Sequence, residues 1–580
     1  MYVLILPVRV SERYFSAMFA SMRVLKVALL VGFFVFLAFG VLNPNPYGNN
    51  PDIVGDESYF LSTALFSIEK MTLPGWEFTP SGAYYGGPQT YVDTFVLLPV
   101  LGVIVAASDF SVMAAKLWVA LNTGELLHIL RLVNGVAALG TLLFFFFYFK
   151  KRDVPRPLAL TLTLFLFLLL SNVLVIEFLH TAKMWVFYII FVAAMSALFI
   201  AQEYYLVHRK EPFVPHGLYV ALLVWSGVAT FFQSWVGVFS IALITLYATL
   251  LRHVSIRDLW NYCLKYWYLI AIFSLTQISF VWRAYSISGT FSEATTRTAE
   301  GTIDWFARLT KPILFSLKTQ PLVLLYVIGV CALIFLAIRY QSFFADPRKR
   351  MWIAIACAHP PLIYLIFHVG IGFDVGPRYA IVLTIACAFS IAILMGEIGR
   401  RAVLAALVLS VTLFVIVNVH AIQLFWHPSS EVVLLEAIME KYNSPDNVFI
   451  ADYSAKRMTL PVNYDSLPLL GETRSDMGRF RFLIENRELL LKSSTFQPLA
   501  FIVYTDEEEA SYIERFKDTH AVWTIRRFCT NRCSTDETAK ETCFEIHLEA
   551  CVISPQDTNA LPEFLSSTQL GNSYIVRKVN

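Results

Sequence analysis

Apolar segments of membrane length recur along residues 1–425 of this 580-residue chain. A helix needs about 20 mostly apolar residues to cross roughly 30 Å of hydrocarbon. Because 57% of the residues are hydrophobic and only 15% are charged, a wholly soluble, disordered or fibrous chain is excluded. We therefore expect a polytopic α-helical membrane protein with about 11 transmembrane helices. The expected spans are Val24–Leu42, Ile129–Phe149, Pro157–Ile176, Met184–Ala201, Leu218–Phe232, Trp235–Leu251, Leu264–Ala284, Pro312–Ile338, Met351–Val369, Tyr379–Ile398 and Ala402–Leu424.

The charges between these spans predict their orientation, because short cytoplasmic loops carry the excess of lysine and arginine. With the N-terminus inside, the inner segments hold 19 of the 29 basic residues before the tail, and the outer segments hold 13 of the 20 acidic ones. The C-terminal tail is then extracytoplasmic. The chain has no Asn-x-Ser/Thr acceptor, which favours a prokaryotic plasma (inner) membrane over the endoplasmic reticulum.

One further apolar run, Tyr91–Ala107, is about long enough to cross a membrane if it is tilted. Counting it as a span would put Lys150, Lys151 and Arg152 outside, against the charge rule. We expect it to form a helix on the outer surface, within a long first outer loop from Asn43 to His128.

The tail, residues 426–580, differs from the membrane part in having 16 basic and 23 acidic residues. Helix and strand patterns alternate along it, which predicts a separate soluble α/β domain of sufficient length to bury its own core. The expected helices are Glu431–Tyr442 and Glu507–Lys517, and the expected strands are Val448–Ala451, Leu499–Tyr504, Val522–Arg527, Phe544–Ile553 and Tyr574–Val579.

Four cysteines cluster in this tail. Outside the cytoplasm, four cysteines favour two disulfides, for which three pairings are open. Zinc is the alternative ligand, although the C-x3-C-x9-C-x7-C spacing lacks the usual paired C-x2-C motifs. The disulfide candidates are Cys529, Cys533, Cys543 and Cys551.

Two adjacent acids, Asp56 and Glu57, lie in the first outer loop ahead of an amphipathic stretch that ends at Lys70. Acids at a helix start are stabilised by free backbone N–H groups, so Asp56 could simply cap a helix. A turn that contains Gln89 follows and leads into the surface helix that begins at Tyr91.

Several cations lie at the same outer level. Arg131 opens the second span and Arg378 the tenth, while Lys183 precedes the fourth. An arginine that enters an apolar helix from outside opposes the positive-inside bias, so an anionic partner is expected. Arg131 alone could instead extend its charged end to the interface. Together, these cations facing paired acids predict an anion-binding site.

The Asp56-Glu57 pair, a Pro-containing turn before an aromatic surface helix, "LRLVNGVAALGTLLFFFFYFKKR" and "GPRYAIVL" occur in this order. In this the chain resembles the GT-C superfamily of membrane glycosyltransferases, with the protein O-mannosyltransferases and the lipid A aminoarabinose transferase as the closest parallels. The resemblance covers about 400 residues through short motifs.

The resemblance implies a role for each matching residue. Asp56 would be the catalytic carboxylate, and Glu57 would help to place the acceptor or the loop. Arg378, Arg131, Lys183 and Tyr379 would form the donor phosphate site, and Gln89, Tyr91 and Glu177 would serve the acceptor or the loop. The chain departs from the family where Gly87-Pro88-Gln89 replaces a turn with a basic residue, and where Glu177 is the nearest acid in the second outer loop. No metal or other cofactor is predicted.

The expected function is transfer of a sugar from a polyprenyl-phosphate-linked donor to an extracytoplasmic lipid, glycan or protein acceptor. Such transfer needs a base near the acceptor hydroxyl and cations at the phosphate. A single displacement would invert the anomeric centre. The alternatives are a lipid-linked polysaccharide polymerase or ligase, or a transporter or flippase of lipid-linked sugars. The lipid bilayer is an expected partner and nucleic acid is not.

Overall fold

The computed structural model describes about half of the chain, most of it helical. The described residues are 57–72, 87–151, 154–172, 175, 178–179, 181–182, 185–209, 211–215, 217–219, 221–222, 256–268, 271, 275, 321–339, 347–365, 377–426, 430–452, 497–503, 505–527 and 574–579. The helices are α1 Glu57–Glu69, α2 Gly87–Ala107, α3 Val112–Leu121, α4 Thr123–Lys151, α5 Arg156–Leu170, α6 Trp185–His208, α7 Ile256–Lys265, α8 Pro321–Arg339, α9 Pro347–Tyr364, α10 Pro377–Ile398, α11 Arg400–Trp426, α12 Ser430–Lys441 and α13 Asp506–Phe516. The strands are β1 Asn447–Asp452, β2 Leu499–Val503, β3 Ala521–Arg527 and β4 Tyr574–Lys578.

Three of the described helices are long and apolar enough to cross a membrane. The qualifying segments are Gln89–Ala107 in α2, Trp185–Leu206 in α6 and Ile381–Ile398 in α10. Shorter apolar helices lie within α1, α5, α8 and α9. The described part of the chain is therefore compatible with a membrane protein.

The expected spans that lie within the described residues are helical, with shifted ends. Helix α5 ends at Leu170, six residues before the predicted Ile176, because Ser171 Oγ donates to the terminal carbonyl of Leu168 at 2.9 Å. The spans Val24–Leu42 and Trp235–Leu251 lie outside the described residues.

One described helix was not predicted from the sequence. Helix α3 was not expected; it begins after Ser111, whose side chain accepts a hydrogen bond from Ala114 N at 3.3 Å and caps the helix. Helix α7 ends at Lys265 and Tyr266 lies in a turn packed against Gly217, whereas most of the predicted span Leu264–Ala284 lies outside the described residues.

The main apolar core is centred on α10, which packs against α5, α6, α8, α9 and α11. Phe389 of α10 contacts Phe199 of α6, and Phe414 of α11 contacts Phe167 of α5. At the end of α10, a Cβ added to Gly396 would come within 3.0 Å of Thr161 Oγ1. The small residue therefore permits the close approach of α5 and α10.

A second core joins α1, α2, α3 and α4. Leu61 and Leu65 of α1 pack in this cluster with Leu97 of α2 and Leu126 and Leu127 of α4. The partly exposed ion pair between Glu69 and Lys116 also joins α1 to α3. This outer cluster, as we call the packed α1–α4 unit, holds the start of α1 against α4.

The tail contains a four-stranded sheet in the order β2-β1-β3-β4. Strand β1 is parallel to β2 and β3, and β4 is antiparallel to β3. Tyr512, Ile513 and Phe516 of α13 pack on the apolar side chains of this sheet. The predicted elements of the tail that fall within the described residues are confirmed, whereas Phe544–Ile553 lies outside them.

Cysteine labelling decides whether α2 crosses the membrane or lies on its surface. Exposed Thr72 precedes α2 and exposed Glu125 follows it. If α2 lies on the outer face, Thr72→Cys and Glu125→Cys should both react with an impermeant maleimide in intact cells, while Arg400→Cys should react only after lysis. Each variant is compared with the labelling of the parent chain. Reaction at only one of the first two positions would make α2 a span.

Candidate functional site

A buried ion pair joins the start of α1 to α4. Arg131 Nε donates to Glu57 Oε1 at 3.1 Å, and Arg131 Nη2 donates to Glu57 Oε2 at 2.5 Å. The backbone N–H of Ala182 donates to the same Oε1 at 2.7 Å. The side chain of Glu57 has no exposed surface and that of Arg131 is 8% exposed. Both carboxylate oxygens are therefore satisfied by charge-assisted hydrogen bonds.

Local structure places each member of this contact. Glu57 is the first residue of α1, where the helix dipole favours an acid. Arg131 lies just over two turns into α4. One turn further, Asn134 Nδ2 donates to the carbonyl of Thr181 at 3.0 Å. Three segments that are distant in sequence are thereby fixed together: α1, α4 and Thr181–Ala182.

Because this ion pair is buried, the loss of either partner would leave the other charge uncompensated inside the protein. Removing either charge from water costs several kcal/mol, and only the partner charge with good geometry offsets that cost. Because Arg131 neutralises Glu57, its positive charge is already matched within the protein. The prediction that Arg131 binds a donor phosphate stays a prediction, and the contact that the structure records is with Glu57.

A second buried acid lies close by in α2. Asp93 has no exposed surface, and Gln89 Nε2 donates to its Oδ1 at 2.6 Å. The negative charge of Glu57 is near enough to act on Asp93. The sequence pattern predicted this helix to lie on the outer surface, and Asp93 was not among the predicted site residues. The sequence does mark Asp93, because an acid within an apolar run usually has a functional role.

His128 lies in α4 near Arg131, one residue before the predicted second span. Its burial lowers the pKa of the imidazole, and the nearby Arg131 cation lowers that pKa further. The ring is therefore neutral at pH 7. Among the described residues, no group of three or more His, Cys, Asp or Glu side chains is arranged to hold a metal ion.

The other predicted site residues divide into two sets. Tyr91 is half-buried in the first turns of α2, and the backbone of Arg378 and Tyr379 opens α10. The positions that lie outside the described residues are Asp56, Glu177, Lys183, Cys529, Cys533, Cys543 and Cys551. Asp56 is bonded to Glu57, and Lys183 is bonded to Ala182.

Unfolding of the purified protein should separate the buried ion pair from an exposed one. Arg131→Met leaves the Glu57 carboxylate buried without its counter-charge and should destabilise the fold by about 3–5 kcal/mol. Combining it with Glu57→Gln removes both charges and should recover most of that loss. Lys116→Met, which breaks the partly exposed Glu69 pair, is the control and should cost less than about 1 kcal/mol. Equal losses for Arg131→Met and Lys116→Met would show that the Glu57–Arg131 pair is not a structural anchor.

Comparison of the chain with family models, with curated proteins and with solved structures finds no match. The function has to be inferred from the residues and their contacts. Those contacts bring Glu57, Arg131 and Ala182 together at the buried end of the outer cluster.

Proposed function

We propose that this protein is an integral membrane glycosyltransferase with about 11 transmembrane helices. It takes a sugar from a polyprenyl-phosphate-linked donor and transfers it to an acceptor on the extracytoplasmic face. The acceptor is a lipid, a glycan or a protein. The protein lies in a prokaryotic plasma membrane with its N-terminus in the cytoplasm, and the tail from residue 426 forms a separate domain outside.

The observation that carries this proposal is the set of contacts made by Glu57. It accepts hydrogen bonds from Arg131 of α4 and from Ala182, so it joins three segments in which the sequence showed candidate site residues. Asp56 is bonded to Glu57, and Lys183 is bonded to Ala182. Adjacent Cα atoms are about 3.8 Å apart. The proposed base and one proposed phosphate cation are therefore tethered to the same buried carboxylate.

The chemistry suits such an arrangement. When the bond between the phosphate and sugar carbon 1 breaks, negative charge grows on the phosphate, and fixed cations lower the barrier. At the same time the acceptor hydroxyl loses its proton to a nearby base. In this proposal Asp56 is the base, and Arg378, with Lys183 and Tyr379, binds the phosphate. The displacement occurs in one step and inverts the anomeric centre.

The Glu57–Arg131 pair has a supporting role in this mechanism. Because Arg131 is engaged by both oxygens of Glu57, we assign it to holding the loop, while its contact with the donor phosphate stays a prediction. Glu57 is the sequence neighbour of the proposed base, and misplacement of a reacting group by about 1 Å can cost about 10²-fold in rate. Gln89 is assigned to the loop, and Tyr91 and Glu177 are assigned to the acceptor side or the loop.

Native mass spectrometry tests the proposed donor class. The purified full-length protein should retain a polyprenyl phosphate or its glycoside, since a phosphate bound by fixed cations in a low-dielectric site dissociates slowly. Arg378→Ala should reduce the bound fraction. Asp109→Asn, which changes an exposed acid elsewhere in the first outer loop, should leave it unchanged. Retention of only ordinary phospholipids would contradict the proposal.

Transfer kinetics separate the two proposed roles. Asp56→Asn keeps the shape of the side chain but removes the proton acceptor, so transfer should fall by about 10²-fold or more. Folding should survive, because Asn is as good a helix cap as Asp. Arg378→Ala should weaken donor binding by about 10- to 150-fold. Excess donor should restore part of the rate in that variant only.

The same assay gives the decisive negative result. Asp109→Asn serves as the matched control and should transfer at the rate of the unaltered protein. Near-normal transfer by a stably folded Asp56→Asn protein would remove Asp56 as the base and leave only its capping role.

A further inference from the structure

Two acceptor atoms at the heart of the outer cluster have no hydrogen-bond partner among the described residues. They are Gln89 Oε1 and Asp93 Oδ2, and both side chains have no exposed surface. Folded proteins keep very few buried polar atoms unsatisfied, because each one has lost its water without a replacement. Two on adjacent turns of one helix therefore call for a ligand.

The hydrogen bonds around these atoms fix their chemistry. Gln89 Nε2 is used by Asp93 Oδ1 at 2.6 Å, and turning the amide over would bring its oxygen against that carboxylate. The amide oxygen is thus left as the available group. A hydroxyl matches both atoms, because it can donate to the amide oxygen of Gln89 and can either donate to or accept from the second oxygen of the Asp93 carboxyl group.

These atoms lie beside the proposed transfer centre. Helix α2 packs against α1, which begins with Glu57, and the charge of Glu57 acts on Asp93. A third buried acceptor without a described partner, Asn134 Oδ1, lies one turn along α4 from Arg131. The amide nitrogen of Asn134 is used by the Thr181 carbonyl at 3.0 Å, so its oxygen is also the available group.

We propose that Gln89 and Asp93 form a subsite that binds hydroxyl groups of the transferred sugar and so selects the donor. This inference rests on the proposed function. A site built to hydrogen-bond a hydroxyl discriminates strongly, because a ligand without that hydroxyl leaves buried acceptors unpaired. Because both side chains are fully buried, a sugar bound to them is shielded from bulk water. Enclosure would also keep water from competing with the acceptor.

The test compares stability with selectivity in one double variant. Replacing both polar partners by apolar groups of similar size can be neutral or stabilising. The Gln89→Leu/Asp93→Leu protein should therefore melt at the same temperature as the unaltered protein or higher. It should nevertheless lose sugar selectivity. Thr94→Val is the matched control on the same helix, because the Thr94 hydroxyl bonds only the local Thr90 carbonyl in the described structure.

The probes are undecaprenyl phosphate alone and its mannosyl, glucosyl, galactosyl and arabinosyl derivatives, with binding measured on the full-length protein. The unaltered protein and Thr94→Val should bind at least one glycoside about 10-fold or more tightly than undecaprenyl phosphate. The double variant should bind all five probes about equally, with unchanged affinity for undecaprenyl phosphate. Asp93→Asn, which preserves the shape, should reduce the preference in the same direction and serves if the double variant does not fold.

Each other outcome rejects a defined part of the proposal. If the double variant folds and keeps the glycoside preference, or if the unaltered protein has none, Gln89 and Asp93 are not a sugar subsite. A stoichiometric metal ion that is present in the unaltered protein and absent from the double variant would assign the acceptors to a cation instead. Failure of the unaltered protein to bind any of the five probes would overturn the proposed function itself.

Discussion

The buried carboxylate of Glu57 is the contact on which the outer cluster depends. Its two oxygens accept hydrogen bonds from Arg131 and Ala182, so the start of α1, the first half of α4 and the segment before α6 share one charged centre. A buried charge without these partners would cost several kcal/mol. The position of α1 is therefore set by electrostatics as well as by the apolar packing of Leu61 and Leu65.

Because the side chains of Glu57 and Asp93 are buried, a few polar groups are enough to form the proposed site. In a medium of low dielectric, a satisfied group is held firmly and an unsatisfied one is costly. Glu57 belongs to the first kind, and Asp93, with one oxygen bonded and the other lacking a described partner, belongs to the second. The first kind suits the positioning of a neighbour such as Asp56, and the second suits the binding of a ligand.

Sequence patterns predicted regular elements best where runs of apolar residues were long and continuous. The helices α4, α6, α10 and α11 and the strands β1 to β4 lie where the patterns indicated. Short elements were missed when their start depended on one side chain, as with the Ser111 cap of α3.

The sequence by itself determined that the described chain is mostly helical, that several helices are apolar enough for a membrane, and that the tail mixes helix and strand. These features follow from local composition and periodicity, which every short window of the sequence carries. It also singled out Glu57 and Arg131, but as separate candidates for different tasks. Only the tertiary structure decided that they neutralise each other, and that Asp93 lies close enough to feel the same charge. Their separation of 74 residues along the chain hides this, since a Coulomb interaction depends on distance in space.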